Sequence, residues 1–160
     1  MRAQGHSAYQ LITGVEIVRP PAQVGELLEL DASGVAAVRR RLRYVNDAAF
    51  ATADSYFPED VVRGTPIMLP EDIETGGRHI LADLGFPMER HVDRIRSRGL
   101  TPDEAARLRV PTGTPVFVHT RASGPASGPN AGRIVRVMVT VMPADRVEIV
   151  VDQGIREEAA

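Results

Sequence analysis

The feature that most constrains the fold is an internal repeat. Leu28-Glu-Leu30 is followed by a turn, a strand reaching Arg41, a hairpin, a returning strand and Pro58-Glu-Asp60. About 80 residues later Leu108-Arg-Val110 is followed by a turn, a strand reaching Arg121, a loop, another strand and Pro143-Ala-Asp145. Each unit reads helix, turn, hairpin. A hairpin buries one face and needs a helix or a second hairpin against it. Two such units predict one antiparallel sheet with helices packed on it and a pseudo-twofold axis between the halves.

The local signals fill in this frame. Strands are predicted over Ile12–Val18, Val35–Val45, Phe50–Phe57, Val116–Arg121, Ile134–Met142 and Arg146–Val151. Met88–Arg98 reads as extended. Val135, Val137, Val139 and Val141 alternate onto one face, as in a half-buried antiparallel strand. Asn46-Asp47 marks a hairpin turn. Short helices are predicted over Ala22–Leu30, from Pro58, over Arg78–Leu84 and from Thr101 to about Arg109. The last of these opens with Thr at N-cap, Pro at N1 and Glu104 at N3, the capping-box pattern. Gly64–Thr75 reads as irregular, and Ser123–Gly132 as a loop rich in Gly, Pro, Ala and Ser. Residues 1–8 read as a linker or truncated start and residues 154–160 as a flexible tail.

Composition narrows the chemistry. The chain has 160 residues, 19 basic and 21 acidic, for a formal charge of -2. That balance argues against a dedicated nucleic-acid-binding module. The absence of Cys removes disulfides, thiol nucleophiles and Cys-ligated zinc. No apolar run approaches membrane-spanning length and no signal-peptide pattern opens the chain, so the expectation is a cytoplasmic domain with no membrane partner. The basic residues are all Arg, as a GC-rich genome would encode them.

Two clusters stand out. In Arg39-Arg40-Arg41-Leu42-Arg43, strand alternation puts Arg39, Arg41 and Arg43 on one face and Val38, Arg40, Leu42 and Tyr44 on the other. Guanidinium groups two residues apart on one face suit a phosphate or carboxylate. Spacing alone favours the plainer alternative of a solvated basic edge, or ion pairs with Asp54 or Asp93. In the second cluster, Gly76-Gly77-Arg78-His79, a Gly pair precedes a helix, where backbone N–H groups favour an anion. A plain loop-to-helix junction gives the same pattern. His6, His79, His91 and His119 have no metal-ligand spacing, and there is no HExxH or GxSxG motif. Met68, Met88, Met138 and Met142 read as core filler or the lining of an adaptable pocket.

Taken in order, several stretches resemble the UTRA effector-binding domain of GntR-type bacterial transcription regulators of the HutC subfamily. They are Val38-Arg-Arg-Arg41-Leu-Arg43, Ala53-Asp-Ser-Tyr-Phe-Pro58, Gly64-Thr-Pro-Ile67, Gly76-Gly77 and Ala82-Asp-Leu-Gly85. They continue with Thr101-Pro-Asp-Glu-Ala-Ala-Arg-Leu108, Pro111-Thr-Gly-Thr-Pro-Val116 and Val139-Thr-Val-Met-Pro-Ala-Asp-Arg146. The resemblance covers about Tyr9 to Asp152, with residues 9–153 as the domain. It implies an α+β, chorismate lyase-like fold: a mainly antiparallel β-sheet flanked by short helices, internally duplicated.

The resemblance also implies a function. Such domains bind a small anionic metabolite, usually dimerise, and modulate the DNA binding of an N-terminal winged helix-turn-helix head, which this chain lacks. The implied effector-binding residues are Arg41, Arg43, Ser55, Gly77, Arg78, His79 and Arg136. Arg78 and His79 stand where many members carry a small hydroxyl residue, and Arg136 stands near a position that is often Glu. The first departure speaks against a standard sugar-phosphate site while letting Arg78 supply a different anion contact; the second, a charge reversal, favours a more acidic ligand or leaves that position unused. No cofactor and no catalysis are implied. The alternatives are a lyase-like enzyme pairing Arg41 with Glu89, a stand-alone ligand-binding module, or a domain that only supplies a dimer interface.

Overall fold

In a computed structural model, which describes residues 7–73 and 76–151, the chain forms a single six-stranded antiparallel sheet. The strands are β1 (Ala8–Val18), β2 (Ala36–Val45), β3 (Ala48–Pro58), β4 (Arg90–Gly99), β5 (Pro115–Gly124) and β6 (Arg136–Pro143). The helices are α1 (Ala22–Leu27), α2 (Glu59–Val62), α3 (Gly77–Asp83) and α4 (Pro102–Leu108), with 3₁₀ turns at Pro66–Met68 and Ala144–Arg146. Residues 1–6, which include His6 and most of the expected linker, and the expected tail at 154–160 lie outside the described residues. None of the described helices is long and apolar enough to cross a membrane.

The strand order β1-β2-β3-β6-β5-β4 carries the repeat. The first half supplies β1-β2-β3, the second supplies β4-β5-β6, and β3 meets β6 at the seam, with Asp54 opposite Val139 at its centre. Local conformations repeat as well. Glu29 and Arg109, just after α1 and α4, both have positive φ, 56° and 55°. Pro58 and Pro143 end the inner strands with nearly the same backbone, φ -55° and -54°.

Strand alternation divides the side chains between two faces. On one face α1 packs Val24 and Leu28 against Val38, Tyr56, Ala122 and Val137. Beside it α4 packs Ala105 and Leu108 against Leu42, Val116 and Val141. These clusters join residues of both halves. The opposite face is covered only in part. There α2, α3 and the Pro66–Met68 turn bring Val61, Val62, Ile67 and Leu81 onto Ala37, Phe57 and Val135. The rest of that face carries the polar side chains of the candidate site.

Local expectations hold where chemistry is local. Thr101 Oγ1 accepts from Glu104 N while Glu104 returns a bond to Thr101 N, so the capping box forms. Asn46 and Asp47 both take positive φ, 47° and 63°, as a two-residue hairpin turn requires.

Other expectations are corrected. Arg146–Val151 is not a strand: a 3₁₀ turn takes Ala144–Arg146, and no strand forms over 147–151. Both edges of β6 are already paired, with β3 and β5, so the segment after it cannot fold back as a hairpin partner of β6. Val135 does not share a face with Val137, Val139 and Val141; it precedes β6 and lies in the cluster under α3. The expected loop starts later, because β5 continues through Ser123 to Gly124. At Gly124 that loop returns so closely that a Cβ would sit 2.0 Å from the Arg133 carbonyl oxygen. Leu84, the last residue of the helix predicted over Arg78–Leu84, lies just beyond α3 and is exposed, and α1 stops at Leu27 rather than Leu30.

A candidate anion-binding site

The β2–β3 hairpin places Arg41 and Arg43 on the partly covered face, and its returning strand puts Ser55 there too. Across the seam Ser55 pairs with Met138 of β6, and Arg136 opens that strand two residues earlier on the same face. These four residues meet. Arg41 Nη2 donates to Ser55 Oγ at 2.6 Å, and its Nε to the Ala53 carbonyl at 3.4 Å. Arg136 donates to the same Ser55 Oγ from Nη2 at 3.0 Å and from Nε at 3.3 Å. Arg41, Arg43 and Arg136 all direct a nitrogen at Met138 Sδ, at 3.8, 3.9 and 3.4 Å. The Arg136 guanidinium also lies over the Phe57 ring, 6.0 Å from its centroid.

The electrostatics of this cluster are unusual. Burial, and then repulsion from Arg136, Arg43 and Arg39, pulls Arg41 down to about 10. Burial, and then Arg43, Arg121 and Arg78, pulls Arg136 down to about 10. Burial also lowers Arg43. A guanidinium does not lose its proton in a protein, so all three are cations. Their hydrogen-bond partners among the described residues are a hydroxyl, a carbonyl and a thioether, and none is a carboxylate. Three half-buried cations held by neutral acceptors, Ser55 for two of them and Met138 for all three, lack the paired carboxylate that such groups need. An oxyanion placed among them would accept several charge-assisted hydrogen bonds.

The neighbouring arginines find partners inside the fold. Arg39 shares the face of Arg41, as alternation predicts, but it is buried and serves a different purpose. Its Nη1 donates to the Ile67 carbonyl at 3.2 Å and to the Leu69 carbonyl, and its Nη2 to the Glu71 carbonyl. It thereby fastens the segment leading to α3. Arg40, on the opposite face, pairs with Glu16 and with Asp54, and Arg107 of α4 donates twice to Asp54. The ion pair with Asp54 considered from the sequence therefore belongs to Arg40.

The remaining candidates stand further out. Gly77 begins α3 after Gly76, whose φ is 76°, and packs near Ile67. Arg78 and His79 are exposed in the first turn of α3 and line a hollow of about 460 Å³ with Met88 and Glu89. Arg78 is still near enough for its charge to act on Arg136. Glu89 does not meet Arg41: its carboxylate accepts from the N–H groups of Ala126 and Ser127 and from Ser127 Oγ. His91 and His119 lie on the same sheet face but separately, His91 on Ser123 and His119 on Asp93. No group of His, Asp or Glu among the described residues is arranged to hold a metal.

Sequence reasoning passed over three residues of this face. Met138, which its sequence context marks as filler or pocket lining, touches all three guanidinium groups. Arg121 is bound by Asp93 through Nε at 2.7 Å and Nη2 at 3.0 Å. Thr140 is 3% exposed, and its Oγ1 is a buried polar atom without a hydrogen-bond partner. The repeat held a signal for Thr140, because Ser55 and Thr140 each stand three residues before the prolines that end the inner strands.

Comparison with known proteins gives consistent results. Residues 3–148 match the UTRA domain family. No curated protein matches the sequence. Among solved structures, the effector domain of PhnF from Mycobacterium smegmatis aligns with a TM-score of 0.76 at 18% identity, covering 96% of this chain and 91% of that one. A structure of PhnF from the same organism aligns with a TM-score of 0.78 at 18% identity, covering 97% of this chain and 66% of that one. A ligand-binding domain from Bordetella bronchiseptica, ascribed to a GntR-family transcriptional regulator, gives a TM-score of 0.75 at 21% identity, with 92% and 90% covered. At these identities the likeness speaks for the fold.

Proposed function

This chain belongs to the UTRA domain family, and from that premise we propose that it senses a small anionic metabolite for a bacterial transcription regulator and does not catalyse a reaction. The observation that carries this reading is the cluster of three half-buried cations, Arg41, Arg43 and Arg136: Arg41 and Arg136 share the neutral Ser55 hydroxyl, and all three reach the thioether of Met138. The lyase-like alternative loses its acid partner, because Glu89 is engaged by the loop at Ala126 and Ser127. Arg78, exposed on α3 and near enough for its charge to act on Arg136, is the further cation assigned to the ligand in this reading.

The proposed output is a shift in population. A ligand that draws α3 toward the sheet stabilises one arrangement of the domain over another, and a winged helix-turn-helix head joined to it would read the difference. The homodimer is part of the same proposal. Tyr9, Leu11 and Ile17, exposed on the edge strand β1, support it.

The test is thermal melting and calorimetry against a panel of phosphorylated sugars, dicarboxylates and nucleotides. A true effector at a hundredfold excess over its Kd should stabilise the fold by about 2.7 kcal/mol. Arg41→Ala combined with Arg43→Ala should abolish that response. Equal binding by the double variant would remove the site assignment.

A further inference from the structure

The pseudo-twofold axis through the Asp54–Val139 pair relates two sets of polar residues on the partly covered face. It carries Ser55 onto Thr140, since Ser55 lies opposite Met138 while Thr140 lies opposite Ala53. It carries Arg41 onto Arg121, which hold equivalent places in the two repeat units. The outer strands then differ at one position. The residue opposite Arg41 is Ile12 of β1, whereas the residue opposite Arg121 is Asp93 of β4.

That difference changes the state of the two halves. In the first, Arg41 has no carboxylate and turns to Ser55. In the second, Arg121 grips both oxygens of Asp93, and His119 Nε2 lies 2.6 Å from Asp93 Oδ1. The two-point contact between a guanidinium and a carboxylate is what an external oxyanion would form with the same arginine. Thr140 Oγ1, the counterpart of the Ser55 hydroxyl, is left without a partner.

We infer that Asp93 fills, from within the chain, the second of two quasi-equivalent oxyanion sites, so that only the first half is open to ligand. The second site consists of Arg121 and His119, with Thr140 beside them, and it would take a phosphate or carboxylate group once Asp93 is removed. The inference rests on the proposed function only in treating the first half as the open site. Its own observable is Arg121.

The experiment follows the side-chain Nε–Hε resonances of Arg121 and Arg41 by NMR while inorganic phosphate is added to wild type and to Asp93→Ala. Arg121→Lys and Arg41→Lys supply the assignments. In wild type the Arg121 resonance should stay still over the range that moves Arg41. In Asp93→Ala it should move saturably, with phosphate affinity at Arg121 raised at least about tenfold, the effect of roughly 1.4 kcal/mol. A melting curve checks the fold, and Asp93→Ser replaces the alanine variant if that one is unfolded. The inference is overturned if Arg121 responds equally in wild type and variant, or stays still in a folded variant. A still Arg41 with a responsive Arg121 in Asp93→Ala would instead remove the proposed function and leave this inference standing.

Discussion

At the scale of single residues, the cationic cluster opposes stability. Arg136 is surrounded by Arg41, Arg43 and Arg121, with the neutral Ser55 hydroxyl as its closest acceptor. A buried cation without a counter-charge is worse for the fold than an apolar side chain of similar length. Arg136→Met should therefore raise the stability of the ligand-free domain by about 1 kcal/mol in denaturant unfolding, while weakening its response to anions. Lower stability together with an unchanged anion response would make Arg136 a structural residue. Alternation along β2 was enough to place Arg39, Arg41 and Arg43 on one face. It could not separate them, because the carbonyl groups that take Arg39 come from Ile67, Leu69 and Glu71, well along the chain.

At the scale of elements, the best-read parts are those whose chemistry is complete within a few residues. The N-terminus of α4 is one. Thr101 caps it, Pro102 begins it, and Glu104 serves both the cap and the ion pair with Arg98. Thr101→Ala should cost about 1 kcal/mol of stability in urea unfolding, the usual loss for an N-cap hydroxyl. A change under a few tenths would mean that packing of Ala105 and Leu108 alone holds the helix. The segment Arg146–Val151 shows the opposite case. Its residues favour a strand, but a strand needs an unpaired neighbour, and β6 already has two. Val135 was misassigned for a related reason: the alternation of valines continues past the point where the backbone leaves the sheet.

At the scale of the whole molecule, the halves are joined by more than the β3–β6 seam. Val24, Val38 and Tyr56 from the first half pack directly with Ala122 and Val137 from the second. The duplicated chain should therefore unfold as one unit. Urea transitions followed by far-ultraviolet circular dichroism and by tyrosine fluorescence should coincide; separate midpoints would show the halves to be independent. The duplicated helix–hairpin order, the faces of the strands and the α4 cap are legible in the chain before it folds, because alternation, capping and turn chemistry act between near neighbours. It takes the assembled sheet to bring Ser55 to Arg136, to turn Arg39 to carbonyl groups, and to set Asp93 on Arg121 while Ile12 leaves Arg41 without a carboxylate. Those outcomes depend on which strands become neighbours, and sheet pairing joins residues that lie far apart along the chain.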